Sequence, residues 1–141
     1  MLEIRNILLA EDNPMDIELT IEALKDCNLA NRIVSVTDGA EALEYLNYQG
    51  KYADRPKGNP VVILLDIKMP RLNGIEVLEA IRGNDALKNL PVVMLTSSRE
   101  EPDLKKCYAL GVNAYVVKPV DFRDFIEAAR HIGIFWALLN E

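Results

Sequence analysis

The chain has little cysteine and no pattern in the cysteine it has: two residues, Cys27 and Cys107, in 141. They lie far apart and match no metal-binding or redox spacing. A disulfide framework is excluded, and both read as free thiols of a reducing compartment. No basic run occurs. Lys and Arg number 16 against 22 Asp and Glu, a formal net charge of -6. That balance is poor for a nucleic-acid binder, because phosphate contacts need clustered cations. No uncharged run is long enough to span a bilayer. No secretory leader is expected, since the N-terminus reaches an acidic pair within about a dozen residues. A cytoplasmic protein with no membrane partner is expected. Internal repeats and low-complexity segments are absent too.

What is present is ordinary for a globular domain. Half the residues are apolar and 27% are charged, and the length suits one domain with a real core. Short apolar runs, rich in β-branched residues, alternate with helical patterns. The runs are Asn6–Ala10, Arg32–Val36, Val61–Leu65, Pro91–Leu95 and Ala114–Val117. Asn13-Pro14 starts the first helix, with Asp16 in its first turn and Ile17, Ile21, Leu24 and Met15 on its apolar face. Asn28 or Asn31 ends it. Asp38 caps the second helix, with Ala42, Leu43 and Leu46 inward. Tyr48–Pro60 is a long loop punctuated by Gly50, Pro56 and Gly58. Asn73-Gly74 opens the third helix, with Ile75, Val77, Leu78 and Ile81 inward and Gly83 as its stop. Pro102 begins the fourth, whose apolar face includes Leu104, Tyr108 and Leu110; Gly111 closes it in the left-handed region. Asp121 caps a last, long helix to about Leu139, whose residues Phe122, Phe125, Ile126, Ala129, Ile132, Gly133 and Trp136 face the sheet.

Strict alternation of strand and helix means right-handed crossovers and a parallel sheet covered on both faces. The expected fold is α/β, a doubly wound five-stranded parallel sheet of order 2-1-3-4-5 with five flanking helices, flavodoxin-like. Its crevice opens at the carboxyl ends of strands one and three. There the sequence sets Glu11, Asp12 and Asp66. On its own stretch, Asp66 reads equally well as a cap or as a chemical group. At one mouth, however, three carboxylates repel unless a cation sits among them. A hard divalent ion such as Mg²⁺ is one candidate. Lys118, at the end of strand five, is the other. Thr96 adds a hydroxyl from strand four. Carboxylates, a metal, an ammonium and a hydroxyl suit a phosphoryl group. A carboxylate can itself be the nucleophile, forming an aspartyl-phosphate, and Asp66 is the central one.

Glu11-Asp12, Asp66 with Met69-Pro70 and Gly74, Thr96, and Lys118-Pro119 together resemble the receiver domains of two-component response regulators. The resemblance runs from about Asn6 to about Arg130 and makes residues 1–141 one receiver domain, with 131–141 as a C-terminal helix extension. It implies that Asp66 accepts a phosphoryl group from a phosphohistidine on a sensor histidine kinase. It implies Mg²⁺ on Asp12, Asp66 and the backbone carbonyl of Lys68, with Glu11 helping through water. Thr96 would follow the phosphoryl group inward, Tyr115 would be the switching aromatic, and the Lys118–Pro119 bond would be cis. Because the phosphorelay histidine belongs to the partner, His131 is expected on a helix surface or in an interface. The loop at 48–60 and Ile134-Phe135-Trp136 further resemble single-domain regulators that serve bacterial phytochromes. Two positions depart from the common pattern or tune it. The acidic pair is Glu-Asp, and Lys68 stands two residues after the acceptor; Lys68 and Ser98 are expected to set the dephosphorylation rate.

Ile134, Phe135 and Leu138 widen the apolar arc of the last turns beyond one stripe, so a homodimer through the last helix is expected. The alternative is that the tail folds back on its own domain. Two rival functions are an aspartate-nucleophile phosphatase and a pseudo-receiver that only binds. The phosphatase wants a second aspartate where Lys68 stands, and the intact acidic set argues against the pseudo-receiver.

Overall fold

The computed structural model describes residues 6–25 and 32–138; Cys27, Asn28, Asn31 and Leu139 lie outside them, as does the side chain of Trp136. Five strands form one parallel sheet: β1 (Asn6–Ala10), β2 (Arg32–Val36), β3 (Val62–Asp66), β4 (Val92–Thr96) and β5 (Ala114–Val117). Their order is β2-β1-β3-β4-β5, as expected. The helices are α1 (Pro14–Lys25), α2 (Gly39–Leu46), α3 (Gly74–Arg82), α4 (Asp103–Ala109), α5 (Phe122–His131) and the short α6 (Phe135–Leu138). β3 and β4 are buried along their whole length, which is why they read as unbroken apolar runs.

The period-2 alternation of each strand divides the core in two. Leu8, Ile63, Leu65 and Met94 pack with residues of α2, α3 and α4. Ile7, Leu9, Leu64, Val93 and Leu95 pack on the other face with Leu24 of α1 and Phe125 and Ala129 of α5. The starts of the helices are fixed locally. Asn13 Oδ1 accepts from the N–H groups of Met15 and Asp16. Asn73 and Glu76 form a reciprocal capping box at α3. Asp38 and Asp121 cap α2 and α5 through their carboxylates.

Several expectations need correction. The last helix does not run on to Leu139. It ends at His131 with Ile132 as its C-cap, and Gly133 (φ 81°) turns the chain. The N–H groups of Gly133 and Ile134 return to the carbonyls of Arg130 and Ala129, a Schellman ending. α6 then folds back, and Leu138 is 0% exposed in the core beside α5. Leu138 therefore packs inside its own chain and is not free to face a second one. Phe122, in the first turn of α5, is 45% exposed and does not face the sheet. On α4 the inward pair is Leu104 and Cys107, with Tyr108 49% exposed; on α1, Met15 is 68% exposed. One 3.6-period stripe cannot hold adjacent residues such as Cys107 and Tyr108.

The loop after α2 is long but tied down. It contains one 3-10 turn, Gly50–Tyr52. The Arg55 guanidinium sits over the rings of Tyr45 and Tyr48, 4.1 and 4.0 Å from their centroids. It donates to the carbonyls of Tyr45, Pro56 and Gly58. Tyr52 donates its hydroxyl to Glu41 at 2.6 Å.

Candidate functional site

Each strand of the central sheet ends where its apolar run ends, and four of the five deliver polar groups to one cleft of about 240 Å³. β1 yields Glu11 and Asp12. The Glu11 N–H donates to the Val36 carbonyl, which carries the register of the sheet past the strand end. β3 yields Asp66. The turn after it is closed by the Gly74 N–H on the Ile67 carbonyl at 2.7 Å. β4 yields Thr96, whose hydroxyl donates to the Ser98 carbonyl at 2.9 Å. β5 leads to Lys118, whose N–H donates to the Thr96 carbonyl at 2.7 Å. The Lys118–Pro119 bond is cis, as the resemblance implied.

The cleft is organised around one ammonium. Lys118 Nζ lies 3.1 Å from Glu11 Oε1, 3.2 Å from Asp66 Oδ2 and 3.3 Å from Asp16 Oδ2. Glu11, Asp66 and Thr96 are buried, whereas Asp12 is exposed at the mouth. One carboxylate oxygen from each of Glu11, Asp12 and Asp66 falls within 4.8 Å of the others. Burial pushes the Glu11 carboxyl up to about 7, with the Asp66 charge adding to the rise; the Asn13 N–H and Lys118 oppose it. For Lys118, burial works downward, but the hydrogen bond to Glu11 and the Asp66 charge outweigh it, so its ammonium is held more tightly than usual.

These donors fit a hard divalent cation. All are oxygens and they converge within 4.8 Å, and carboxylates brought together in this way repel unless a cation sits among them. Asp12 and Asp66 are the direct candidates, and Lys68 lines the same cleft. Both Glu11 oxygens already accept hydrogen bonds, from the Asn13 N–H and from Lys118. Glu11 is therefore better suited to act through water.

Of the residues singled out from sequence, Glu11, Asp12, Asp66, Lys68, Thr96 and Lys118 line the cleft together. Ser98 does not. Its hydroxyl oxygen accepts from the Glu100 N–H, within its own turn, and Ser97 lines the cleft instead. Tyr115 is half-buried on β5, edge-on to Tyr108 with centroids 6.4 Å apart, and is not part of the cleft. Ile134 and Phe135 are half-buried at the far end of α5, and Arg130 stacks over the Phe135 ring at 4.7 Å. Asp16 was missed. It reads as a first-turn helix acid, which it is. The available signal was that first-turn side chains tilt back toward the helix N-terminus, here the end of β1.

A family model described as the response regulator receiver domain matches residues 7–130. The response regulator Rcp1 of Synechocystis sp. is 38% identical over 130 residues, which is 92% of this chain and 87% of that protein. A crystal structure of the Mn(2+)-bound form of Rcp1 covers 94% of each chain with a TM-score of 0.75. The structure of the bacteriophytochrome response regulator AtBRR is 58% identical and covers 99% of this chain and 100% of its own, with a TM-score of 0.92. The phosphorylated cyanobacterial phytochrome response regulator RcpA is 38% identical over 96% of this chain and 95% of its own, with a TM-score of 0.78.

Proposed function

The chain belongs to the response regulator receiver family, and from that premise we propose that it is a stand-alone phosphoacceptor switch with Asp66 as the acceptor. The observation that carries this reading is the position of Asp66. Its carboxylate is 8% exposed, converges with those of Glu11 and Asp12 within 4.8 Å, and sits 3.2 Å from the ammonium. In the proposed step an Asp66 oxygen attacks phosphorus. The P–N bond to a kinase histidine breaks, and the imidazole leaves with the electron pair. Asp12, Asp66 and the Lys68 carbonyl would hold a Mg²⁺ ion, which would supply charge neutralisation for the transferring oxygens. Lys118 donates to a phosphoryl oxygen, and the Thr96 hydroxyl, freed from the Ser98 carbonyl, donates to another. That movement drags the loop after β4. Tyr115, at the edge of the same strand pair, follows it between half-buried and buried positions. The shift acts on a pre-existing equilibrium. Lys68, exposed at the cleft, controls access of the water that hydrolyses the acyl phosphate.

The partner is a sensor histidine kinase of the bacterial phytochrome type, a reading supported by the likeness to AtBRR and RcpA. Coverage of the whole of AtBRR supports residues 1–141 forming one domain with a C-terminal extension from 131. Among the described residues no helix is long and apolar enough to cross a membrane. The kinase partner places the reading in the cytoplasm. Output is by protein contact, with no nucleic acid bound. A homodimer forms through the tail at Ile134 and Phe135. Sedimentation of Phe135→Ser tests it without removing Leu138, and an unchanged mass relative to the parent ends the idea.

Incubation with acetyl phosphate and Mg²⁺ tests the main reading. One base-labile phosphoryl group that disappears in Asp66→Asn is the expected result. Steady turnover of phosphate esters would instead mark a phosphatase, and no labelling a pseudo-receiver.

A further inference from the structure

Lys118 has no spare donor. An ammonium carries three N–H bonds, and three carboxylates take them: Glu11, Asp16 and Asp66 at 3.1, 3.3 and 3.2 Å. The three are not equivalent. Glu11 is 1% exposed and Asp66 8%, but Asp16 is 28% exposed, on the first turn of α1 at the rim. Two of these carboxylates have work in the cleft already: Glu11 also accepts from Asn13, and Asp66 is the proposed acceptor. Asp16 is not one of the three carboxylates that converge within 4.8 Å.

Phosphorylation of Asp66 turns one carboxylate oxygen into a bridging oxygen and moves the negative charge outward onto phosphoryl oxygens. The N–H that Asp66 accepts passes to a phosphoryl oxygen as that carboxyl loses its charge, so Lys118 can bring a second N–H to the group only by giving up Glu11 or Asp16. We propose that Asp16 is that exchangeable partner: it holds the third N–H of Lys118 in the unphosphorylated state and competes with the phosphoryl oxygen for it. This rests on the reading of Asp66 as acceptor. Asp16 is then a positioning residue, acting through Lys118, that weakens the phosphorylated state. It is placed for this by helix geometry. Asn13 and Pro14 fix the start of α1, the Asp16 N–H is itself capped by Asn13, and the side chain is left pointing at the end of β5. The helix N-terminus stabilises the Asp16 charge in either state, so releasing the lysine costs Asp16 little.

The test is the affinity for beryllofluoride, a phosphoryl mimic, measured by titration calorimetry in saturating Mg²⁺. Asp16→Asn keeps the shape and removes the charge. The expected result is tighter binding by roughly 3–10-fold, the size of one partly exposed charge at short range. In a Lys118→Ala background the same substitution should change affinity by less than about twofold, because the competed donor is gone. Asp16→Glu should restore the parent's weaker binding. An equal gain in both backgrounds would mean a general field effect and overturn the inference, as would no gain in either. A tenfold loss of Mg²⁺ affinity in Asp16→Asn would make Asp16 a metal ligand and also overturn it. A parent chain that neither binds beryllofluoride nor labels with acetyl phosphate would remove the acceptor reading and this inference with it.

Discussion

The carbonyl oxygen of Asp66 occupies the space that a β-carbon on Gly74 would need, and the Cα of Ile67 lies just beside it. The start of α3 is thus pressed onto the strand end that bears the proposed acceptor. Gly74 is not there for a left-handed turn; it opens the helix beside the Asn73 cap. Gly74→Ala should therefore push the β3–α3 turn outward. The expected cost is about 2–3 kcal/mol, with Mg²⁺ bound several-fold more weakly because Asp66 and Lys68 move together. Urea denaturation and Mg²⁺ titration of the variant check both parts.

The Glu11 carboxyl gives a pH dependence with a defined sign. It is raised from 4.5 to about 7 in the fold, chiefly by burial. Between those values the folded chain holds a proton that the unfolded chain has lost. The metal-free fold therefore loses stability as pH rises from about 4.5 to 7, by on the order of 2–3 kcal/mol from this group. Glu11→Gln should remove that part of the slope. Mg²⁺ affinity should rise with pH up to about 7 and then level off in the parent, and should be flatter in the variant. Parallel denaturation series at several pH values, with and without Mg²⁺, make the comparison.

Glu41 shows the opposite sign. Burial would raise it, but the Tyr52 hydroxyl, the Thr37 N–H and Lys51 together lower it to about 2. Its stabilisation is present above about pH 4.5 and is lost as pH falls toward 2. Glu41→Gln should cost about 1–2 kcal/mol at neutral pH and almost nothing near pH 2. The loss should fall on the loop at 48–60, where hydrogen exchange at Tyr52 and Ala53 would report it.

Leu138 separates the two readings of the tail. Buried at 0% exposure against the α5 side of the core, it should cost about 2–4 kcal/mol when cut to alanine. That loss should not depend on protein concentration. A loss that shrinks on dilution would instead tie Leu138 to a dimer.

The fold was legible because each strand is a short apolar run with a polar residue at its carboxyl end. Asp66, Thr96 and Lys118 stood out for the same reason: a buried parallel strand delivers its last side chain to the crevice, whatever the rest of the chain does. Asp16 was legible only in part: the backward tilt of a first-turn side chain sets it near the end of β1, but its ion pair with Lys118 spans 102 positions and no local pattern announces it. The turn after Thr96 bends Ser98 back onto Glu100, and turn geometry of that kind is not written in periodicity. The end of α5 was misread although Gly133 was in plain view. Apolar residues on both sides of that glycine kept the helical spacing, so the pattern continued while the backbone did not. Leu138 then fell on the wrong side of the account, because its burial depends on a turn that the spacing conceals.

The central claim is that Asp66 carries the phosphoryl group. The most direct measurement is reductive trapping: treat the full chain with acetyl phosphate and Mg²⁺, reduce the acyl phosphate with borohydride, and sequence the peptides by tandem mass spectrometry. The account predicts conversion to homoserine at position 66 alone, absent when Mg²⁺ is chelated. Conversion at Asp12, Asp16 or Glu11, or phosphate retained on a hydroxyl residue with Asp66 untouched, would contradict it.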